Sequence, residues 1–156
     1  MNKNKKKICF AASSGGHFEQ IMMLEPLMNK YNCFILTEKT LYKVNKKEHN
    51  TYYLKQINRK EVMCIFKLFI NFVKCLLIFL KERPDYMITT GVLSMIPMAL
   101  IMKFFGKKLI FIESFAKITS PTLTGKFLYK YADRFYVQWE EMLEFYPDAI
   151  YKGGIY

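Results

Sequence analysis

Six short apolar runs recur along the chain, and the segments between them carry a different period. The runs are 7–13 (KICFAAS), 32–37 (NCFILT), 51–55 (TYYLK), 85–90 (DYMITT), 107–113 (KKLIFIE) and 133–138 (DRFYVQ). Each has the length of a strand and stops at polar or turn-forming residues. Helical periodicity fills most of the gaps. Phe18, Ile21, Met22, Leu24 and Leu27 line one face of 17–30, and 61–82, 95–105 and about 124–131 read as further helices. Gly16 is placed to cap the first of them and Ser94 the third, with Pro97 in the third's first turn, where a missing N–H breaks no bond. Strand then helix, repeated, predicts an α/β fold: a Rossmann-like, doubly wound parallel sheet. The stretch 39–50 is polar and Lys-rich and reads as surface helix or loop. No repeat or linker interrupts the pattern, so residues 1–156 are expected to form one domain, the size of a single lobe of a larger enzyme.

Composition narrows the partners. The net charge is +11, and it is lopsided: residues 1–83 hold 16 basic and 6 acidic residues, residues 84–156 hold 8 and 7. A basic half suits an anionic partner such as a membrane surface or a phosphorylated substrate. Nucleic acid is not expected, because the basic residues are nearly all Lys and no aromatic residues interleave with them in a stacking pattern. The cysteines at 9, 33, 64 and 75 lack CxxC spacing, so neither a zinc site nor a redox motif is indicated. No secretory signal is recognisable and a reducing, cytosolic compartment is expected.

Three strand ends carry the candidate chemistry. Ser13-Ser14-Gly15-Gly16-His17 joins the first strand to a helix, where backbone N–H groups and the positive helix end meet the carboxyl edge of a sheet. Ser14, Gly15 and Gly16 are candidate anion contacts. His17 suits a general base, a bond to a substrate oxygen, or plain packing at a helix start. Thr89-Thr90-Gly91-Val92-Leu93-Ser94 makes a second such turn, and Thr90, Gly91 and Ser94 would face the same crevice. Glu113 ends an apolar strand, where it fits a base, a holder of a substrate hydroxyl, or a partner for a loop N–H. His49, in its polar stretch, reads as surface.

The helix at 61–82 is unusual. At 100° per residue, Lys60, Lys67, Asn71, Lys74 and Lys81 fall within about 80° of arc, and nearly everything else is apolar. Central lysines argue against a helix that spans a membrane. A narrow cationic stripe on a broad apolar body, with Phe69, Phe72 and Leu76 among its members, fits a helix lying in a membrane interface. A helix buried under the sheet with its lysines in water is the alternative. Residues 95–105 could share either fate.

Taken together, SSGGHFEQ, TTGVLSMIP and the stretch from Glu113 to Trp139 resemble the membrane-associated subunits of split polysaccharide glycosyltransferases of the PssD/CpsF type. The sequence is similar also to the membrane-recruiting subunit of the eukaryotic enzyme that adds the second N-acetylglucosamine to dolichol-linked oligosaccharide. It is more distantly similar to the N-terminal domain of MurG. The resemblance runs from Ile8 to Tyr156. It implies the N-terminal, acceptor-binding half of a GT-B glycosyltransferase in capsule or exopolysaccharide synthesis, needing no cofactor or metal. A small partner subunit would bind the UDP-sugar, and a polyprenyl-diphosphate-linked sugar would be the acceptor, at the cytoplasmic face of the membrane. Gly15, Gly16 and His17 match the first glycine-rich loop of MurG, Gly91 and Ser94 its second, and Glu113 the glutamate after its fifth strand. Val92 stands where MurG has another glycine. The eukaryotic subunit has an N-terminal membrane helix that is not found here, so membrane attachment is expected from 61–82.

On this reading His17 or Glu113 takes the proton of the attacking sugar hydroxyl, and UDP leaves with inversion. The rival is a non-catalytic membrane scaffold that activates its partner.

Overall fold

The computed structural model describes residues 6–39, 49–58 and 61–156. Seven parallel strands form one sheet: β1 (Lys7–Ala12), β2 (Asn32–Glu38), β3 (Asn50–Leu54), β4 (Tyr86–Thr89), β5 (Lys108–Ile112), β6 (Arg134–Val137) and β7 (Ile150–Tyr151). Their order is β3-β2-β1-β4-β5-β6-β7. The chain builds outward from β1 to β3, then returns to the other side of β1 and builds outward again. Between β1 and β4, consecutive crossovers therefore diverge and leave a crevice at the carboxyl edge. This is the doubly wound, Rossmann-like sheet expected from the sequence. Only β7, two residues long, is too short to leave a pattern in the sequence.

Alternation along the strands feeds two cores. Cys9, Ala11, Phe34, Leu36, Met87, Leu109, Phe111 and Phe135 point to one face, where α3 (Cys64–Glu82), α4 (Ile96–Phe104) and α5 (Leu123–Leu128) cover them. Ile8, Phe10, Ala12, Cys33, Ile88 and Ile112 point to the other, beneath α1 (Gly16–Met22) and α2 (Glu25–Lys30).

Several local expectations shift. The helix read over 17–30 is two helices, because Pro26 sits in the first turn of α2 and has no N–H to continue a helix from α1. The cap of α1 is Gly15, one residue before the expected Gly16; its φ of 78° is a left-handed value that glycine adopts freely. Ser94 does not cap α4. It lies in a 3-10 turn, Leu93–Met95, and Met95 precedes the helix. α5 is shorter than expected and is capped by Thr122, whose Oγ1 accepts the Gly125 N–H at 2.8 Å. α3 ends at Arg83 in the left-handed region (φ 47°), and Pro84 follows. Most of the 39–50 stretch lies outside the described residues. His49, expected at the surface, is half-buried with Nδ1 3.6 Å from Cys33 Sγ.

Candidate functional site

Two turns make the walls of the crevice. In the first, the Gly15 carbonyl accepts the N–H groups of Phe18 (2.8 Å) and Glu19 (3.1 Å), which opens α1. Gly15 and Gly16 face open space, with no atom within 4 Å of where a side chain would start. In the second, the Gly91 N–H donates to Thr89 Oγ1 at 3.1 Å, and Gly91 takes φ 99° with its back against the Phe111 ring. Val92 takes φ 92°, ψ 147°, a backbone region that β-branched residues avoid. The position where MurG has a glycine is thus held here in a glycine-like conformation by valine. The Thr90 hydroxyl donates to the His17 carbonyl at 3.1 Å and ties the two turns together.

His17 lies at that junction, half-buried. Burial pushes its imidazole below the usual histidine range, while the charge of Glu113 and the Thr90 backbone pull the other way. Its Nδ1 is buried and closes no hydrogen bond of ordinary geometry. His17 thus lies between two glycine turns with its charged form disfavoured, the state from which a general base starts.

Glu113 lies nearby but is closed off. It is fully buried, and its carboxylate accepts from the Ser114 N–H (2.8 Å), the Thr122 N–H (3.3 Å), the Thr122 hydroxyl (2.9 Å) and the Tyr146 hydroxyl (2.8 Å). Burial, and then the Glu113 charge, raise the Tyr146 phenol far above its usual range, so it stays a donor. Of the roles read from the sequence, this geometry matches the partner of loop N–H groups and not a free base: the carboxylate holds the loop after β5 to the cap of α5. Ser94 is likewise not open to the crevice. It is fully buried, and its Oγ lies beside the Glu38 carboxyl without an ordinary hydrogen bond. Ser14 is half-exposed at the mouth of the first turn.

A second polar network supports the crevice, and the sequence reading missed it. The buried Gln138 donates from Nε2 to Gln20 Oε1 (3.0 Å) and to the Glu113 carbonyl (2.8 Å), and accepts from the Ile155 N–H (3.1 Å). The Phe115 N–H also reaches Gln20 Oε1. Gln20 thereby fastens α1 to the loop after β5. Its position next to the apolar Ile21 carried no sign of this. Tyr146 gave none either, since its partner Glu113 lies 33 residues away.

The α3 residues divide by angle. Asn71, grouped with the lysine stripe above, is instead fully buried; its amide donates to the Lys55 carbonyl (2.8 Å) and accepts the Lys55 N–H (2.9 Å). Lys67 pairs with Glu61, Lys74 is exposed, and Lys81 lies 5.4 Å over the Tyr52 ring. Lys60 lies outside the described residues. The face turned away from the sheet is apolar and in solvent: Ile65 is 82% exposed, Phe69 64%, Leu77 63% and Leu80 52%. Phe72 and Leu76 line a groove of about 450 Å³ against Leu100, Ile101, Phe104 and Phe105 of the α4 region. An apolar face in solvent with lysines on its flank does not match the alternative of a helix buried under the sheet with only its lysines in water. Among the described residues, no helix is long and apolar enough to cross a membrane, and no cluster of His, Cys, Asp or Glu could hold a metal ion.

Comparison with known proteins places this geometry. Residues 8–155 match the model of a family described as "Oligosaccharide biosynthesis protein Alg14 like". The mouse "UDP-N-acetylglucosamine transferase subunit ALG14" is 25% identical over 179 aligned positions, spanning 96% of this chain and 82% of the relative. The fission-yeast (Schizosaccharomyces pombe) protein of the same name is 44% identical over 55 residues, 34% of this chain and 26% of its own length. In fold, the chain superposes on Acinetobacter baumannii MurG with a TM-score of 0.68 at 16% identity, covering 85% of this chain and 41% of that one. It superposes on a Rickettsia bellii UDP-N-acetylglucosamine 2-epimerase with a TM-score of 0.71 at 11% identity, covering 97% and 46%. Both solved structures are more than twice the length matched.

Proposed function

Because the chain belongs to the Alg14-like family of oligosaccharide biosynthesis proteins, we propose that it is the acceptor-binding, membrane-seated half of a two-component, UDP-sugar-dependent inverting glycosyltransferase. Residues 1–156 would act as one acceptor domain. The observation that carries the reading is the crevice. Two tied glycine turns and a half-buried, neutral His17 sit at the switch point of a sheet that corresponds to less than half of a MurG-like chain. The relatives' name, a subunit of a UDP-N-acetylglucosamine transferase, supports a partner that supplies the nucleotide sugar.

The acceptor is a sugar on a polyprenyl diphosphate, in capsule or exopolysaccharide assembly at the cytoplasmic membrane face. The diphosphate meets the open backbone of Ser14, Gly15 and Gly16, and the buried Thr90 and Gly91 form the wall behind it. His17 accepts the proton of the attacking hydroxyl; the oxygen bonds the anomeric carbon of the donor as the bond to UDP breaks, inverting the configuration. Glu113 positions the loop after β5, and its charge favours the imidazolium that forms. Ser94 acts through the shape of the second turn. The outer face of α3, with Lys67, Lys74 and Lys81 beside Phe69, Phe72 and Leu76, rests on the bilayer.

The test is transfer from radiolabelled UDP-sugars to a polyprenyl-diphosphate-sugar in membranes, with this chain alone and with its small partner. Activity only with both, lost in His17→Ala, is expected. Full activity of His17→Ala would move the chemistry to the partner and favour the scaffold, a reading that the closed-off Glu113 already makes the alternative. Activity of this chain alone would end the half-enzyme reading.

A further inference from the structure

The outer surface of the helical layer is apolar beyond α3. Leu123, Phe127 and Tyr131 follow one another at helical spacing along α5 and the turn after it, and are 60%, 41% and 39% exposed. Phe127 and Tyr131 pack with their rings tilted by 45° and centroids 5.3 Å apart, so the stripe is preformed. Phe104 of α4, which packs against both α3 and α5, is 85% exposed between the two lines. Across the sheet, α1 and α2 turn Glu19, Asn29 and Lys30 outward instead.

We propose that a second line of bilayer contact runs along α5 through Leu123, Phe127 and Tyr131, so that the whole α3–α4–α5 face seats on an anionic bilayer. This rests on the membrane seating proposed above for α3, and extends it. Charge selects the occupant. Exposed Lys126 and Lys130 border the α5 stripe, as Lys67, Lys74 and Lys81 border α3. An apolar face with exposed lysines beside each of its two lines complements anionic headgroups over a hydrocarbon interior. A second copy laid on the same face would set lysine against lysine. Seating has a consequence for the crevice: the α5 cap, Thr122, is bonded to Glu113, so the loop beside His17 is held at headgroup height.

The experiment uses the full chain with vesicles of phosphatidylcholine, alone or mixed with phosphatidylglycerol. Phe127→Trp and Phe69→Trp are tested for fluorescence quenching by phosphatidylcholine brominated on its acyl chains, with the wild-type signal of Trp139 subtracted. Leu123→Glu and Phe127→Glu, exposed and so tolerant of charge in the fold, are tested by co-sedimentation. The expected result is quenching of both tryptophans and binding to mixed vesicles weakened about ten-fold by either glutamate, as partial burial of one large side chain implies. Quenching at 69 but not at 127 would overturn the second line and leave the α3 seating standing. Quenching at neither would overturn both. Dimerisation without lipid, abolished by Phe127→Glu, would give the stripe to a second copy and overturn the proposal.

Discussion

Gly125→Ala sets a general rule against a local one. Alanine in place of a helical glycine ordinarily stabilises by about 0.5–1 kcal/mol. Gly125 lies in α5 with a helical, not left-handed, backbone, so the general rule favours the substitution. Here, however, the added carbon would lie 2.2 Å from Glu113 Oε2, 2.6 Å from the Tyr146 hydroxyl and 2.8 Å from Thr122 Oγ1. These are the atoms that bond one another, so none can retreat without opening a hydrogen bond to a buried carboxylate. Such bonds contribute about 1.5–3 kcal/mol each. Losing two of them, against a propensity gain near 1 kcal/mol, leaves a net loss of about 2–5 kcal/mol. For a chain of this size that lowers Tm by roughly 4–20 °C. Thermal melts followed by circular dichroism read the shift. Gly16→Ala, where nothing lies within 4 Å, is the control and should melt within a degree or two of wild type, an allowance of about 0.5 kcal/mol. Combining Gly125→Ala with Tyr146→Phe should cost less than the two added, since the phenylalanine removes one colliding oxygen. A Gly125→Ala protein as stable as wild type would refute the reasoning: Glu113 would then be free to swing, and its catalytic candidacy would return.

Four further outcomes are expected. Val92→Gly relieves a backbone at φ 92° and should raise the unfolding free energy read from urea titrations by about 1 kcal/mol net of glycine's own entropy; an unchanged value would mean the turn is relaxed. Burial lowers the His17 pKa in the fold, so the acid limb of kcat/KM should fall below pH 6.5, and His17→Asn should remove it. The same shift means that the unfolded chain binds the proton first, so stability is lost as pH drops below 6.5, and the asparagine variant should lose less. Burial raises the Glu38 carboxyl, against the pull of the neighbouring Ser94 hydroxyl and the Ile57 backbone, so the charged form is a cost that grows as pH rises above the ordinary glutamate range. Glu38→Gln should therefore gain Tm at pH 8 relative to pH 4, and a loss at both would show its hydrogen bonds outweigh its desolvation. Asn71→Ala removes both bonds to the Lys55 N–H and carbonyl and should destabilise by about 1–3 kcal/mol in denaturant titrations.

Most of the sheet was legible because strand burial writes itself locally. Residues 8–12 and 33–36 are apolar over consecutive positions, and both runs are buried on both faces of the sheet. Both glycine turns were legible for the same reason, since a strand, a glycine and a helix lie within one stretch of chain. What escaped depends on distance. Tyr146 finds Glu113 33 residues away and Gln138 finds Gln20 118 away, and neither pairing leaves a periodic trace. Glu113 shows the ambiguity from the other side. A carboxylate at a strand end looks the same in sequence whether it faces a substrate or four loop donors, and only the fold decides.

Asn71 explains how α3 can be apolar nearly all round and still present a defined face. A helix with hydrophobic residues in every direction gains almost equally from burying any of them, so burial alone sets its rotation poorly. The amide supplies the missing direction. Its donor and its acceptor meet the carbonyl and N–H of one residue, Lys55, just past the end of β3, and turning the helix by a single residue would break both bonds. Once that angle is set, Cys75, Ile78 and Phe79 follow Asn71 inward, and Phe66, Phe69, Val73 and Leu80 are carried to the opposite side. Lys67, Lys74 and Lys81 then fall on the flank between the two faces. Lysines on a flank can extend to headgroups while the ridge enters the hydrocarbon; lysines at the centre of the outer face would have held the ridge away from it. Asn71, hidden in the middle of α3, thus aims the apolar residues that are not hidden.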